Sequence, residues 1–173
     1  VSGRYQAPTP LNDRHTFENF RCASHEQTSW LHQYSRHSHA SGSTKVFVVT
    51  EQDGVIVVAY YAWRMAELTH ADAPMRLSKG AGKYPQPVAL LARLGVDKQH
   101  EGRGIGAGSL SDVIRRILSL STDIGCRGLL IHAETEEAHQ FYVHLIPELM
   151  ESPTDKMHLV LLMKDARHTL LAD

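Results

Sequence analysis

The sequence predicts a mixed α/β domain built on a mostly antiparallel sheet. Three observations carry this. Val88–Val96 is an apolar run that leads through a short polar link to glycines at 102, 104, 106 and 108, which open onto an amphipathic helix. Upstream, two Val-rich segments flank Asp53-Gly54, the dipeptide of a tight hairpin turn. Downstream, strand-like and helix-like segments alternate as far as a final apolar run, His158–Lys164.

The elements follow in order. Thr9–Phe20 reads as a short first helix with Asn12 or Asp13 as its cap. Ser24-x-x-Gln27 is a capping box and starts a second helix carrying Trp30, Leu31 and Tyr34, which ends at Ser41-Gly42-Ser43. Lys45–Thr50 and Val55–Ala66 form the hairpin. Residues 67–87 make a long connection with Pro74, Gly80, Gly82, Pro85 and Pro87, a length associated with function or mobility. Ala89–Val96 is a buried strand. Ala107–Ser121 is a helix, with Leu110, Val113, Ile114, Ile117 and Leu118 at helical period. Arg127–Ala133 is a strand. Thr135 caps the helix Glu136–Leu145, whose first-turn carboxylates suit the helix dipole. A short strand is expected near Leu149, and His158–Lys164 closes the sheet.

The 173 residues suit one domain, 1–173, with a core of its own. An apolar fraction of 42% and a charged fraction of 21% are those of an ordinary globule rather than a disordered or membrane chain. No apolar run reaches transmembrane length, no signal pattern opens the sequence, and a cytoplasmic location without membrane attachment is expected. Cys22 and Cys126 form neither a disulfide framework nor a metal pattern and should be reduced. The twelve histidines lack a metal-binding spacing and read as solvated, so no metal is expected. Charge is uneven: residues 64–127 carry ten Lys/Arg against six Asp/Glu, whereas residues 128–173 carry three against eight. A basic middle segment can offer a patch to a polyanion.

The glycine stretch has a direct chemical meaning. Glycine lets the backbone approach a ligand closely. The first N–H groups of a helix lack partners within it and, with the helix dipole, bind anions. Gly102-Arg103-Gly104-Ile105-Gly106 therefore reads as a pyrophosphate cradle. A Walker loop is excluded, because Ile105-Gly106-Ala107 supplies neither lysine nor hydroxyl. Gly102-x-Gly104-x-x-Ala107 matches a dinucleotide fingerprint, but five polar residues separate it from the strand, and Asp123 precedes the next strand instead of ending it.

Gln99-x-x-Gly102-x-Gly104 fits in register as Q/R-x-x-G-x-G/A. By this motif and the order of the flanking elements, the chain resembles the GNAT N-acetyltransferases. The resemblance implies a GNAT fold, with helices on both faces of the sheet and a splayed cleft between its fourth and fifth strands. It implies acetyl-CoA as cofactor, pairing with the strand edge at Leu94, Gly95 and Val96. The pyrophosphate would lie at Gln99, Glu101, Gly102, Arg103, Gly104, Ile105 and Gly106, with Thr135 and Phe141 also at the cofactor. Acyl transfer needs a proton for the departing thiolate, and a phenol is protonated at neutral pH. The resemblance places Tyr142, in Phe141-Tyr142, as that general acid. Glu134, Glu136, Glu137, His132 and His139 offer no clear base. An α-amine with pKa near 8 needs less help than lysine near 10.4.

Within that family the chain resembles the aminoacyl-tRNA-acetylating toxins of type II toxin–antitoxin systems. The marks are Pro10-Leu11, Trp30-Leu31, Thr44–Val49, Pro87–Asp97 joined to Gly102–Gly106, and Thr135–Ala138 with Phe141-Tyr142. The resemblance implies acetylation of the α-amine of aminoacyl-tRNA, a block of translation, neutralisation by a cognate ribbon-helix-helix antitoxin, and a homodimer. Arg76, Lys79, Lys83 and Arg93 are then the candidate tRNA contacts, with Arg36 and Lys45 behind them. Leu145-Ile146-Pro147-Glu148-Leu149 stands where the family often has Gly-Phe. The alternative is a small-molecule N-acetyltransferase acting on a polyamine, an antibiotic or an amino acid. A fold that had lost its chemistry would not need both the loop and Tyr142.

Overall fold

The structure, a computed structural model, describes residues 3–171. The strands are β1 (Thr9–Pro10), β2 (Lys45–Thr50), β3 (Val57–Leu68), β4 (Gln86–Val96), β5 (Gly128–His132), β6 (Met150–Glu151) and β7 (His158–Leu162). The helices are α1 (His25–Ser41), α2 (Met75–Ser78), α3 (Ile105–Leu120), α4 (Glu136–Leu145) and α5 (Met163–Leu171), with one 3-10 turn at Lys98–His100. The strands are ordered β1-β2-β3-β4-β5-β7-β6. The chain forms two compact units, one from the residues up to Arg64 with Ala92–Asp112, the other from Met65–Leu91 with the residues from Val113 onward.

In the first unit, the hairpin pairs Lys45 with Trp63 and Thr50 with Val57, with an irregularity between Val49 and Thr50. Gly54 takes φ 71° in the turn, as Asp-Gly predicts. Ser24 caps α1, its hydroxyl accepting from Gln27 N–H at 3.1 Å. Gly42 ends α1 with φ 80°. The expected helix over Thr9–Phe20 is not formed. Thr9 and Pro10 pair with Val48 and Phe47 as β1. The rest is held by backbone bonds to the hairpin: Leu11 N–H to Val46 O, Thr16 N–H to Val55 O, and Val57 N–H to Thr16 O. Leu11, Phe17 and Phe20 enter one core with Leu31, Val46, Val48 and Tyr60. Tertiary partners for the backbone replace the local helical bonds.

In the second unit, β4 runs parallel to β5, with Ala89–Leu91 paired to Leu129–Ile131. β5 pairs antiparallel with β7, and β7 with β6 near the expected short strand. Gly128 is required here, since a Cβ would lie 2.6 Å from Leu161 O. The last strand stops at Leu162 rather than Lys164, and the chain turns into α5, a helix the sequence pattern does not mark. The long connection is shorter than expected. β3 extends to Leu68, β4 starts at Gln86, and α2 buries Leu77 completely. Thr69 and Thr154 hydroxyls donate to Asp72, and Ser152 Oγ donates to Asp72 O at 2.7 Å, tying the connection down.

Both cysteines are free thiols. Among the described residues no cluster of three or more His, Cys, Asp or Glu is placed to hold a metal. Two histidines depart from the solvated expectation: His15 and His100 are buried. No helix among the described residues is long and apolar enough to cross a membrane.

Candidate active site

The glycine loop lies in the first unit. β4 ends at Val96, and Asp97 turns the chain: its carboxylate accepts from Gln99 N–H at 2.9 Å and from Arg21 N–H at 3.0 Å. Two further backbone bonds, Asp97 N–H to Val58 O and Lys98 N–H to Arg21 O, fix the start of the loop. Gly102 and Gly104 take φ 73° and 78°, a region that side chains strain to enter. Nothing lies within 4 Å of where a Cβ would stand on either, so the loop is open on that side. The first helical bond of α3 runs from Gly108 N–H to Gly104 O. The N–H groups of Ile105, Gly106 and Ala107 therefore have no acceptor within the helix. Such a loop and helix start fit an anion, and the diphosphate of coenzyme A is one.

The other expected cofactor residues vary in setting. Leu94 and Val96 are half-buried, and Gly95 is buried. A Cβ on Gly95 would meet Cys22 Sγ and Tyr60 Cε1, each at 3.2 Å, so packing also asks for glycine there. Gln99 and Glu101 are exposed beside the loop. Arg103 is exposed, but its Nη1 donates to Tyr5 Oη at 2.8 Å. Tyr5 and His100 at the loop were not foreseen. Tyr5 lies 98 residues from Arg103 in sequence, and no local pattern marks it.

Tyr142 lies in the second unit, on α4. Thr135 starts this helix, its Oγ1 accepting from Ala138 N–H at 3.1 Å, so that hydroxyl serves the cap. Tyr142 is buried, at 6% exposure, while Phe141 is 37% exposed and meets it edge-on at 5.3 Å. Burial pushes the Tyr142 phenol well above its ordinary value of 10. It therefore keeps its proton at any physiological pH. Of the weak base candidates, His139 pairs with Glu151 at 3.2 Å and His132 stacks on His158 at 3.9 Å between ring centroids.

The candidate polyanion contacts divide. In the second unit Arg76 is bound through both terminal nitrogens to Asp165, at 2.8 and 3.3 Å. Lys79 and Lys83 are exposed in the connection. In the first unit Arg93 lies over the Trp30 ring at 5.1 Å and donates to Gln27 Oε1 at 3.1 Å, with Glu26 at 3.4 Å. Arg36 sits over Phe17 and donates to His15 O, and Lys45 donates to His39 O.

No family model matches the chain. It is 40% identical over 163 residues to a tRNA-acetylating toxin of Mycobacterium tuberculosis strain H37Rv, covering 94% of this chain and 95% of that one. Among solved structures it is similar to AtaT complexed with acetyl-methionyl-tRNAfMet, with a TM-score of 0.85 and 21% identity over 98% of this chain and 99% of the other. It is also similar to a mutant AtaT toxin bound to the C-terminus of the antitoxin AtaR, with a TM-score of 0.80 and 18% identity over 98% of each chain. The shared fold and the near-complete overlap with the mycobacterial protein give one conclusion: this chain belongs to the family of tRNA-acetylating GNAT toxins.

Proposed function

We propose that this protein transfers the acetyl group of acetyl-CoA to the α-amine of the amino acid carried on tRNA, and so blocks translation. The observation that carries the reading is the loop in which Gly102 and Gly104, both at positive φ, open onto the α3 N–H groups that lack an acceptor within the helix. That geometry supports a diphosphate-bearing cofactor. The 40% identity to a tRNA-acetylating toxin supports the acceptor.

When bound, acetyl-CoA supplies the acetyl group as a thioester. On this reading Leu94–Val96, Gln99 and Glu101–Gly106 hold it, and the family resemblance adds Thr135 and Phe141. Tyr142 keeps a proton at Oη because burial disfavours the phenolate. It donates that proton to the departing sulfur as the C–N bond forms and the C–S bond breaks. The attacking amine loses its own proton to solvent. No strong base is required, because an α-amine near pKa 8 is partly neutral at pH 7. Lys79 and Lys83 contact tRNA phosphates. The protein works as a homodimer, and a ribbon-helix-helix antitoxin neutralises it.

The test is transfer of labelled acetyl from acetyl-CoA to a pool of charged tRNAs, with uncharged tRNA and polyamines as parallel acceptors. Label on charged tRNA alone is the expected result. Label on polyamines alone would keep the cofactor and move the acceptor to small amines.

A further inference from the structure

We propose that Tyr5 is a positioning residue for the anion site: its hydroxyl holds the Arg103 guanidinium at the glycine loop, and the His100–Glu51 pair holds that hydroxyl. The inference rests on the acetyl-CoA reading above and deepens it, naming what sets affinity for the diphosphate. Arg103 Nη1 donates to Tyr5 Oη at 2.8 Å, and Tyr5 Oη meets His100 Nδ1 at 2.8 Å. His100 Nε2 faces Glu51 Oε1 at 3.5 Å. A guanidinium only donates. Tyr5 Oη therefore accepts from Arg103, which leaves its own O–H available to His100 Nδ1 in the tautomer whose Nδ1 is bare. The imidazole proton then sits on Nε2, facing the Glu51 carboxylate. One tautomer satisfies every group.

The tyrosine ring is held as firmly as its hydroxyl. It is 6% exposed and shares a core with Val49, Val58, Ala59 and Ile105, with Val96 packed against them. Val96 ends β4 and Ile105 begins α3, so this ring packs with both ends of the loop. His100 meets it edge-on, with centroids 5.6 Å apart.

The partner's chemistry is the telling point. Arg76 and Arg93 are each paired with a carboxylate, which cancels their charge locally. Arg103 is held by a neutral hydroxyl, so its orientation is set and its charge kept. Its Nε and Nη2 have no acceptor among the described residues and remain for phosphate oxygens, which a guanidinium takes in pairs. An arginine between two glycines would otherwise lose rotamer freedom on binding. Tyr5 removes that cost in advance.

The test is a double-mutant cycle on Tyr5→Phe and Arg103→Ala, with melting curves as the check on folding. Tyr5→Phe keeps the ring and deletes the hydroxyl. Coenzyme A binding is measured by titration calorimetry. Transfer to charged tRNA is then measured with acetyl-CoA and with acetyl-pantetheine, which has the thioester but no diphosphate. Tyr5→Phe is expected to weaken coenzyme A binding about fivefold or more, the scale of one charge-assisted contact. It should raise KM for acetyl-CoA with kcat held, leave kcat/KM for acetyl-pantetheine unchanged, and add nothing in the Arg103→Ala background. Wild-type affinity in Tyr5→Phe, equal loss with both donors, or additive effects would each overturn the inference while the cofactor reading stands. A wild-type protein without affinity for coenzyme A would overturn both. Should Tyr5→Phe fail to melt cooperatively, Glu51→Gln gives the second reading. It should show a smaller loss with the same donor selectivity, and no loss would overturn the inference.

Discussion

At the scale of single residues, the proposed mechanism rests on two tyrosines in different settings. Tyr142 is buried, and burial alone raises its phenol above the ordinary value of 10. An acid raised in this way stays protonated to higher pH. The alkaline limb of kcat should therefore be flat through pH 10, and a fall centred near 10 would identify an ordinary exposed phenol. Tyr142→Phe removes the proton and little else. We expect kcat to fall by about a hundredfold or more, the usual range for a lost general acid. Coenzyme A affinity by calorimetry should stay near wild type, and unchanged kcat would remove Tyr142 from the mechanism. Tyr5 holds no reacting proton. Its hydroxyl acts through Arg103, which is why its signature lies in KM and in donor selectivity.

At the scale of elements, local chemistry and long-range partners divide the work. The ends of α1 and the start of α4 are written locally: Ser24 and Thr135 accept the first free N–H groups, and Gly42 takes the left-handed turn. Other ends depend on two imidazoles. His39 Nδ1 accepts from Val46 N–H at 2.9 Å, joining the end of α1 to β2, and His15 Nδ1 accepts from Asn12 N–H at 3.0 Å. Both pKa values are lowered from 6.5, first by burial, then by Arg36 and Arg14 beside His15 and by Lys45 beside His39. The unfolded chain thus binds these protons before the folded one. The stability they carry is intact above pH 6.5 and is lost as pH falls through 6.5 toward the lower folded values. Urea midpoints should drop between pH 7 and pH 5. The drop should shrink in a His15→Asn/His39→Asn variant, whose amide oxygens still accept but do not titrate. An equal drop in that variant would show that other groups carry the effect.

At the scale of the whole molecule, the basic residues of the middle segment stand in two settings. Arg76 is bound to Asp165 and joins α2 to α5, while Lys79 and Lys83 face solvent. Phosphate contacts make affinity fall with salt. Lys79→Ala and Lys83→Ala should each weaken charged-tRNA binding and reduce the slope of log K against log salt by about one. Arg76→Ala and Asp165→Ala should instead lower the melting temperature, by a free energy of about 1 kcal/mol for a pair whose arginine is half exposed, and leave the salt slope alone. A slope change in Arg76→Ala matching that of the lysines would return it to the tRNA surface.

The sequence by itself determined the features that local physics governs. Gly102 and Gly104 were legible because positive φ is a property of single residues, and α3 because its apolar stripe follows the helical period, although it starts at Ile105, two residues before the expected Ala107. Thr135 and the apolar stripe of α4 marked the helix that carries Tyr142, and Asp53-Gly54 marked the hairpin. Only the tertiary structure decided the rest. Residues 11–20 gave up a helix because β2 and β3 offered their backbone better partners. Strand β7 stopped at Leu162 where α5 began, although the apolar run continued. Arg76 and Arg93 are candidate tRNA contacts by sequence, and only the fold sets Asp165 beside the first and Trp30 and Gln27 beside the second. Tyr5 reached Arg103 across 98 residues, a contact that no spacing encodes because it is made by packing, in which distance along the chain has no part.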